Sequence, residues 1–359
     1  MTLHQSGEVI ASRYQIEEFI GQGGMQEVYA AQDLILGRRI ALKTPKTSSA
    51  HKRFERSAQT AAKINHANVA KTLDYIPSNT QAYLIEEVVN GCDLNIFTRR
   101  YIPRMDPYAT AQVLHRLAKG LAASHHAGVI HRDIKPSNIM VVGGPAFADV
   151  KITDFGIAKM AEAELDQAIN GGEEALTQSA TALGALPYMA PEMIDSFTNA
   201  AKPADVWSLG ALTFELLAGT KPFGQGYRAV PLIQAAVMPA LPPEALPKAQ
   251  FAALTNELYD VIRQCLLRDP DARPDADRLV RLCEALCYSE DAREYGTVAR
   301  FHRADGGFID ADNGSSIFFH QNSVPSGRVD LGQRVWFARH VGAPAPRAFP
   351  LVKAHELPM

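Results

Sequence analysis

Hydrophobic and polar positions alternate in short runs through the first ninety residues. Tyr14 to Ile20, Glu27 to Asp33, Arg39 to Lys43, Val69 to Asp74 and Ala82 to Val88 are rich in β-branched or aromatic residues, with turn formers between them, which predicts strands. One helix interrupts them: from Lys52 to Ile64 the apolar residues Phe54, Ala58, Ala61 and Ile64 recur at three- and four-residue spacing, as one helix face requires. After Asp93 the period lengthens, and Pro107 to His126, Ala204 to Ala218, Phe251 to Arg268 and Asp275 to Cys287 read as long amphipathic helices. The Pro- and Ala-rich run from Val230 to Pro247 reads as an ordered loop. Beyond a polar stretch at Ser289 to Glu294 the alternation returns in Thr297 to His302, Gly307 to Asp310, Ser316 to His320 and Arg334 to His340. The pattern predicts an α+β chain: a β-rich lobe and a larger helical lobe within 13–288, a linker at 289–295, and a small all-β domain at 296–354.

Composition narrows the class. At about 150 residues per domain, 359 residues suit two domains. With 47% hydrophobic and 21% charged residues, disordered and fibrous readings fall away. The net charge of −3 argues against a globally basic nucleic-acid coat but leaves room for a local patch, since the region from Gly296 onward carries +2 and the rest −5. No run approaches the roughly 18 apolar residues of a membrane span, and the first residues lack the basic and apolar regions of a signal peptide. Cys92, Cys265, Cys283 and Cys287 show no framework spacing, so a cytoplasmic protein with no membrane partner is expected.

The chemistry lies in a series of unlinked motifs. Residues 20–29 read IGQGGMQEVY, in which Gly21, Gly23 and Gly24 let backbone N–H groups approach a polyphosphate. On its own this is also an ordinary hairpin turn. Lys43 follows inside an apolar strand, where it is costly without an anion. His131-Arg132-Asp133-Ile134-Lys135-Pro136-Ser137-Asn138 and Asp154-Phe155-Gly156 come next, in order. Asp154 is a hard carboxylate suited to Mg²⁺, and Asn138 can offer a carbonyl oxygen to a second ion.

Together these motifs resemble the eukaryotic-like (Hanks-type) serine/threonine protein kinases across residues 13–287, and the GGM-x-x-VY wording resembles the bacterial members. Ala190-Pro191-Glu192, Asp205-Val206-Trp207-Ser208-Leu209-Gly210 and Arg268-Asp269-Pro270-Asp271-Ala272-Arg273-Pro274 complete the set. The resemblance implies a bilobal kinase fold, ATP with Mg²⁺ (or Mn²⁺), and protein substrates. It implies that Asp133 receives or orients the proton of the substrate hydroxyl and that Lys135 places charge on the transferred group. It also implies that Ile20, Val28, Ala41 and Met140 sandwich adenine, with the backbone from Glu87 to Val89 at its edge. Glu192 would pair with Arg273, and Asp205 would brace the catalytic loop.

The pattern breaks in informative places. The helix position that carries the Lys partner in the family is here Ser57, and Glu55, two residues away, points about 200° around the helix. The position before the hinge, usually apolar, is Glu86, and a buried Glu needs a partner, so Glu86 is expected to reach Lys43. Gln26 stands for the third glycine of the loop, and Ala185 for a Thr that bonds the catalytic Asp and Lys. Two readings follow: an active kinase, or an ATP-binding pseudokinase switch. Arg132 beside Asp133 resembles kinases controlled by loop phosphorylation, with Thr177, Ser179 and Thr181 as acceptors.

From Gly296 the chain reads GTVARFHRADGGFIDADNGSSIFFHQNSV, in which Gly307-Phe308-Ile309 looks like the end of the first RNP motif and Ile317-Phe318-Phe319-His320 like the second. It resembles the cold-shock domain, an OB-type barrel that binds single strands on aromatic side chains. Arg300, Phe308, Phe318 and His320 would form the platform. Arg300 replaces a Trp, Gln321 an aromatic and Gly306 an exposed Phe, so the face is thinner than the family's. Single-stranded nucleic-acid binding and reuse for protein contact or kinase regulation both stay open, as does a nucleic-acid binder regulated in cis by its kinase domain.

Overall fold

The computed structural model describes residues 2–22, 26–46, 51–77, 81–143, 147–155, 171, 179–196, 200–302, 305–325 and 327–355. The N-terminal lobe is a sheet of order β1-β2-β3-β4-β6-β5, comprising β1 (Val9–Ile10), β2 (Tyr14–Gln22), β3 (Gln26–Asp33), β4 (Arg38–Pro45), β5 (Thr72–Ile76) and β6 (Tyr83–Glu87). Helix α1 (His51–Ala61) buries Phe54 and Ala58 against Leu84 and Ala82. Strand β5 begins three residues after the predicted Val69, because Val69 instead makes an isolated bridge to Ile152 of the other lobe. Register sets the chemistry of one sheet face. Val28 opposes Lys43, Ala30 opposes Ala41, and Ala41 opposes Glu86. Because side chains alternate along a strand, Gln26, Val28, Ala41, Lys43 and Glu86 share that face, with Lys43 and Glu86 as diagonal neighbours.

A three-stranded sheet, β7 (Gly91–Asp93), β8 (Ile139–Val142) and β9 (Asp149–Ile152), forms the floor beneath it. The helices that follow are α2 (Leu94–Arg100), α3 (Pro107–His126), α4 (Ala180–Ala185), α5 (Pro191–Asp195), α6 (Lys202–Ala218), α7 (Ala229–Ala235), α8 (Ala249–Cys265) and α9 (Ala276–Glu284). Helix α3 starts where the sequence dictates: Asp106 accepts from Tyr108 N and Ala109 N, and Pro107 supplies the first turn. Helix α6 ends at Gly219, whose φ of 75° suits glycine. Helix α7 and a short 3₁₀ turn at Pro243–Ala245 occupy much of the run expected to be a loop. Its apolar residues Ala229 and Ile233 gain burial against the lobe core, which propensity alone does not register.

The C-terminal domain is a closed five-stranded barrel of order β10-β11-β12-β14-β13, with β10 (Arg293–His302), β11 (Gly306–Ala311), β12 (Ser316–His320), β13 (Arg334–His340) and β14 (Arg347–Lys353). All its pairings are antiparallel except β12 with β14. Its own core includes Val298, Ile309, Ile317, Phe319, Phe337 and Leu351. The first strand begins at Arg293, inside the stretch read as a linker, because Arg293 and Tyr295 are buried against the helical lobe. Among the described residues no helix is long and apolar enough to cross a membrane.

Candidate active site

A cleft of about 640 Å³ separates the two lobes. Ile20, Gly21, Val28, Ala41, Lys43, Glu87, Val89, Met140, Asn138 and Asp154 all line it. Gly23 and Gly24 fall outside the described residues. Val28 and Ala41 form an apolar ceiling and Met140 the floor, a slot for a flat ring. Asp93 lines the same cleft and was missed by sequence reasoning. It accepts from Ile96 N as the N-cap of α2, an acidic residue ahead of an apolar run, which was the available signal.

Behind the slot sits a triad of charges, Lys43 and Glu86 buried and Asp154 half-buried. Lys43 Nζ lies 2.5 Å from Glu86 Oε2 and 2.6 Å from Asp154 Oδ1. Gln26 Nε2 donates to the same Asp154 oxygen at 3.2 Å, linking the glycine-rich turn to the floor. Two carboxylates share one ammonium, and their titrations divide accordingly. Burial pushes Glu86 up, and the nearby Asp154 charge adds to that, outweighing Lys43. Burial acts on Asp154 in the same sense, but Lys43, His131 and the Gln26 bond reverse it and hold its pKa below the usual value. Lys43 is raised: burial disfavours its charge, and the two carboxylates more than restore it. Helix α1 carries Ser57, and the structure supplies Lys43 with its second carboxylate from the neighbouring strand instead.

Residues of the 131–138 segment meet at the mouth of the cleft, which Lys135 and Asn138 line. Asp133 Oδ2 is 2.8 Å from Lys135 Nζ and accepts from Asn138 Nδ2 at 2.9 Å. Asn138 Nδ2 also donates to the Asp133 carbonyl at 2.8 Å. With its amide spent on Asp133, Asn138 has its carbonyl oxygen left for a cation. The loop is held from below by Asp205, fully buried, which accepts from His131 N, Arg132 N and His125 Nε2. Arg132 and Asp154 take positive φ values of 66° and 62°. Such backbone is uncommon for non-glycine residues and is fixed here by these contacts. Arg132 Nε is buried with no partner among the described residues. Among the described residues no group of three or more His, Cys, Asp or Glu could hold a metal unaided. One carboxylate and one amide oxygen fit Mg²⁺, which takes its remaining ligands from water and substrate phosphates.

Arg273 binds Glu192 through two bonds of 2.7 and 2.8 Å. Ala185 is buried in α4, and Ser179 caps that helix by accepting from Ala182 N. Thr177 lies outside the described residues, Thr181 falls within α4, and Gly156 is likewise not described.

On the barrel, Arg300, Phe308 and Phe318 come together on one face. The Arg300 guanidinium lies 4.5 Å from the Phe308 ring centre, and Phe308 meets Phe318 edge to face at 5.6 Å. His320 sits on the same side of β12 and accepts from Asn322 N. Gly306 is required by packing: a Cβ there would come within 2.7 Å of the Phe319 carbonyl.

Comparison with known proteins agrees with this geometry. The protein kinase domain model matches residues 14–282. Serine/threonine-protein kinase PknA of Mycobacterium tuberculosis is 35% identical over 257 residues, covering 68% of this chain and 56% of that protein. PknB of the same species is 33% identical over 273 residues, covering 74% and 41%. A probable serine/threonine-protein kinase of Corynebacterium efficiens is 36% identical over 226 residues, covering 60% and 32%. The chain thus spans about half or less of the length of these relatives. Among solved structures, Rad53 residues 1–466 in complex with AMP-PNP aligns with a TM-score of 0.56 at 24% identity, over 75% of this chain and 64% of that one, which shows the fold. A match across three quarters of the sequence, with an interlobe cleft that gathers the motif residues, means that this chain belongs to the protein kinase domain family.

Proposed function

We propose that this chain is a serine/threonine protein kinase that transfers the γ-phosphoryl group of ATP to Ser and Thr hydroxyls of proteins. The observation that carries this reading is the convergence of Asp133, Lys135 and Asn138, joined by bonds of 2.8 to 2.9 Å, beside the Lys43–Asp154 pair. ATP with Mg²⁺ or Mn²⁺ supplies the phosphoryl group and neutralises its phosphates. The protein's own part is positioning and electrostatics. Asp133 takes the hydroxyl proton as the new oxygen–phosphorus bond forms and the bond from the γ-phosphorus to the bridging oxygen breaks, ADP leaving; Lys135 stabilises charge on the group in flight, and Lys43 steadies the phosphates. Asn138 and Asp154 present oxygen to the cation. The pseudokinase alternative is not favoured, since each group that touches metal or phosphoryl is present and Glu86 occupies the place left by Ser57. Incubation with γ-labelled ATP and Mg²⁺ tests the reading: label on Ser or Thr supports it, and no label on any protein contradicts it.

For the barrel we infer an OB-type, cold-shock-like domain whose Arg300–Phe308–Phe318 face takes single-stranded nucleic acid. Support comes from its strand order and from cross-strand aromatic contact beside an exposed Arg. We also infer regulation by phosphorylation of Thr177, Ser179 or Thr181, received by Arg132, whose buried Nε lacks a partner among the described residues. Phosphopeptide mapping of active protein that finds this loop unmodified contradicts that inference.

A further inference from the structure

The barrel is built into the helical lobe. Trp336, fully buried, leaves the barrel's own core and joins that of the lobe, as do Tyr295 and Ala354. Its ring meets Phe97 of α2 at 6.2 Å and Phe147 at 5.7 Å, both edge to face, and those two meet each other at 5.4 Å. The Arg293 guanidinium lies over the Trp336 ring at 4.8 Å and pairs with Asp106 at 3.1 Å, a buried ion pair at the N-cap of α3. A second contact stacks Phe349 on Phe251 at 5.3 Å.

What Trp336 touches is the underside of the cleft. Phe97 lies one helical turn after Asp93, which lines the cleft and pairs in register with Met140, its floor. Phe147 lies between β8 and β9 of the same small sheet, has a φ of 50°, unusual for a bulky residue, and packs against both aromatic neighbours. Both elements that Trp336 packs against, themselves in ring contact, therefore carry the floor.

We propose that the barrel is an intramolecular clamp on the floor of the nucleotide cleft, with Trp336 and Arg293 as positioning residues, so that nucleotide occupancy and barrel docking favour each other. The nucleotide arm rests on the kinase reading; the docking arm does not. By linkage, what the barrel contributes to the floor the nucleotide returns to the barrel.

Hydrogen exchange on the full chain separates the two arms. In Trp336→Ala without nucleotide, amides of 91–97 and 139–142 exchange at least about tenfold faster, while strands within 14–45 keep their protection. Unchanged exchange at 91–97 and 139–142 overturns the clamp, and so does an equal rise throughout the chain. In wild type, ADP slows exchange in β10 and β13 as well as at the cleft, and Trp336→Ala binds ADP about fivefold more weakly. ADP that protects the cleft but leaves β10 and β13 unaltered also overturns it. If ADP protects nothing in wild type, the nucleotide reading fails, and the exchange of Trp336→Ala still decides whether the barrel holds the floor.

Discussion

Replacing Glu86 with Met removes one of the two carboxylates around Lys43. At 2.5 and 2.6 Å the two contacts are each worth about 6 to 7 kcal/mol of gross attraction at an effective dielectric of ~20. Repulsion between two carboxylates that share one ammonium returns roughly 3 kcal/mol at the same effective dielectric, and desolvation of a buried carboxylate takes several more. The ledger for Glu86 alone therefore lies near zero, in line with its raised pKa, and Glu86→Met leaves folding stability within about 1 kcal/mol or raises it. Nucleotide binding behaves differently. When Asp154 turns to a cation, Glu86 is what keeps Lys43 in place; without it Lys43 stays on Asp154 and competes with the metal. The loss of one charge-assisted bond, about 1.5 to 3 kcal/mol, corresponds to roughly 10- to 150-fold weaker binding. Titration with a fluorescent ATP analogue, with and without Mg²⁺, reads this directly. The loss is larger with Mg²⁺, and Ser57→Glu does not restore it. Equal affinity of wild type and Glu86→Met under both conditions refutes the role given to Glu86, and restoration by Ser57→Glu returns that role to the helix.

Two further outcomes follow from the same geometry. Asp33 is held at a pKa of about 2, chiefly by its bond to Arg13. Its folded value lies below the unfolded one of about 3.9, so its stabilisation is complete above that pH and is lost as pH falls towards 2. Asp33→Asn accordingly flattens the acid limb of a thermal-melting profile, and an unchanged limb contradicts the pairing. On the barrel, Phe308→Ala weakens oligonucleotide binding by about 1 to 3 kcal/mol in a low-salt fluorescence titration. Absence of oligonucleotide binding by wild type contradicts the nucleic-acid reading of this face.

The sequence made long-period and local features visible. Helix α3 and strands β12 and β13 have the bounds that their apolar spacing predicts, because each is long or cleanly alternating. The charge pattern also pointed to Lys43 and Glu86 as a pair, since neither is stable alone in an apolar strand. Short elements escaped: β7 to β9 are three or four residues each. Strand β14 was hidden by Pro350, which cannot donate in a ladder. The bond from Gln26 to Asp154 joins residues 128 apart, which no local pattern encodes. The junction of barrel and lobe had one overlooked signal. Val335-Trp336-Phe337-Ala338 is an unbroken run of four apolar residues within one strand, the mark of a strand covered on both faces. Val335 and Phe337 fill the barrel, while Trp336 fills the lobe.

Phosphoryl transfer by the full chain tests the central claim most directly. With γ-labelled ATP and Mg²⁺, wild type labels Ser or Thr on protein. Asp133→Asn, which loses the proton acceptor, and Asp154→Asn, which loses the metal carboxylate, fall by about 10²-fold or more. Equal labelling by all three proteins contradicts the assignment of this cleft as the catalytic site.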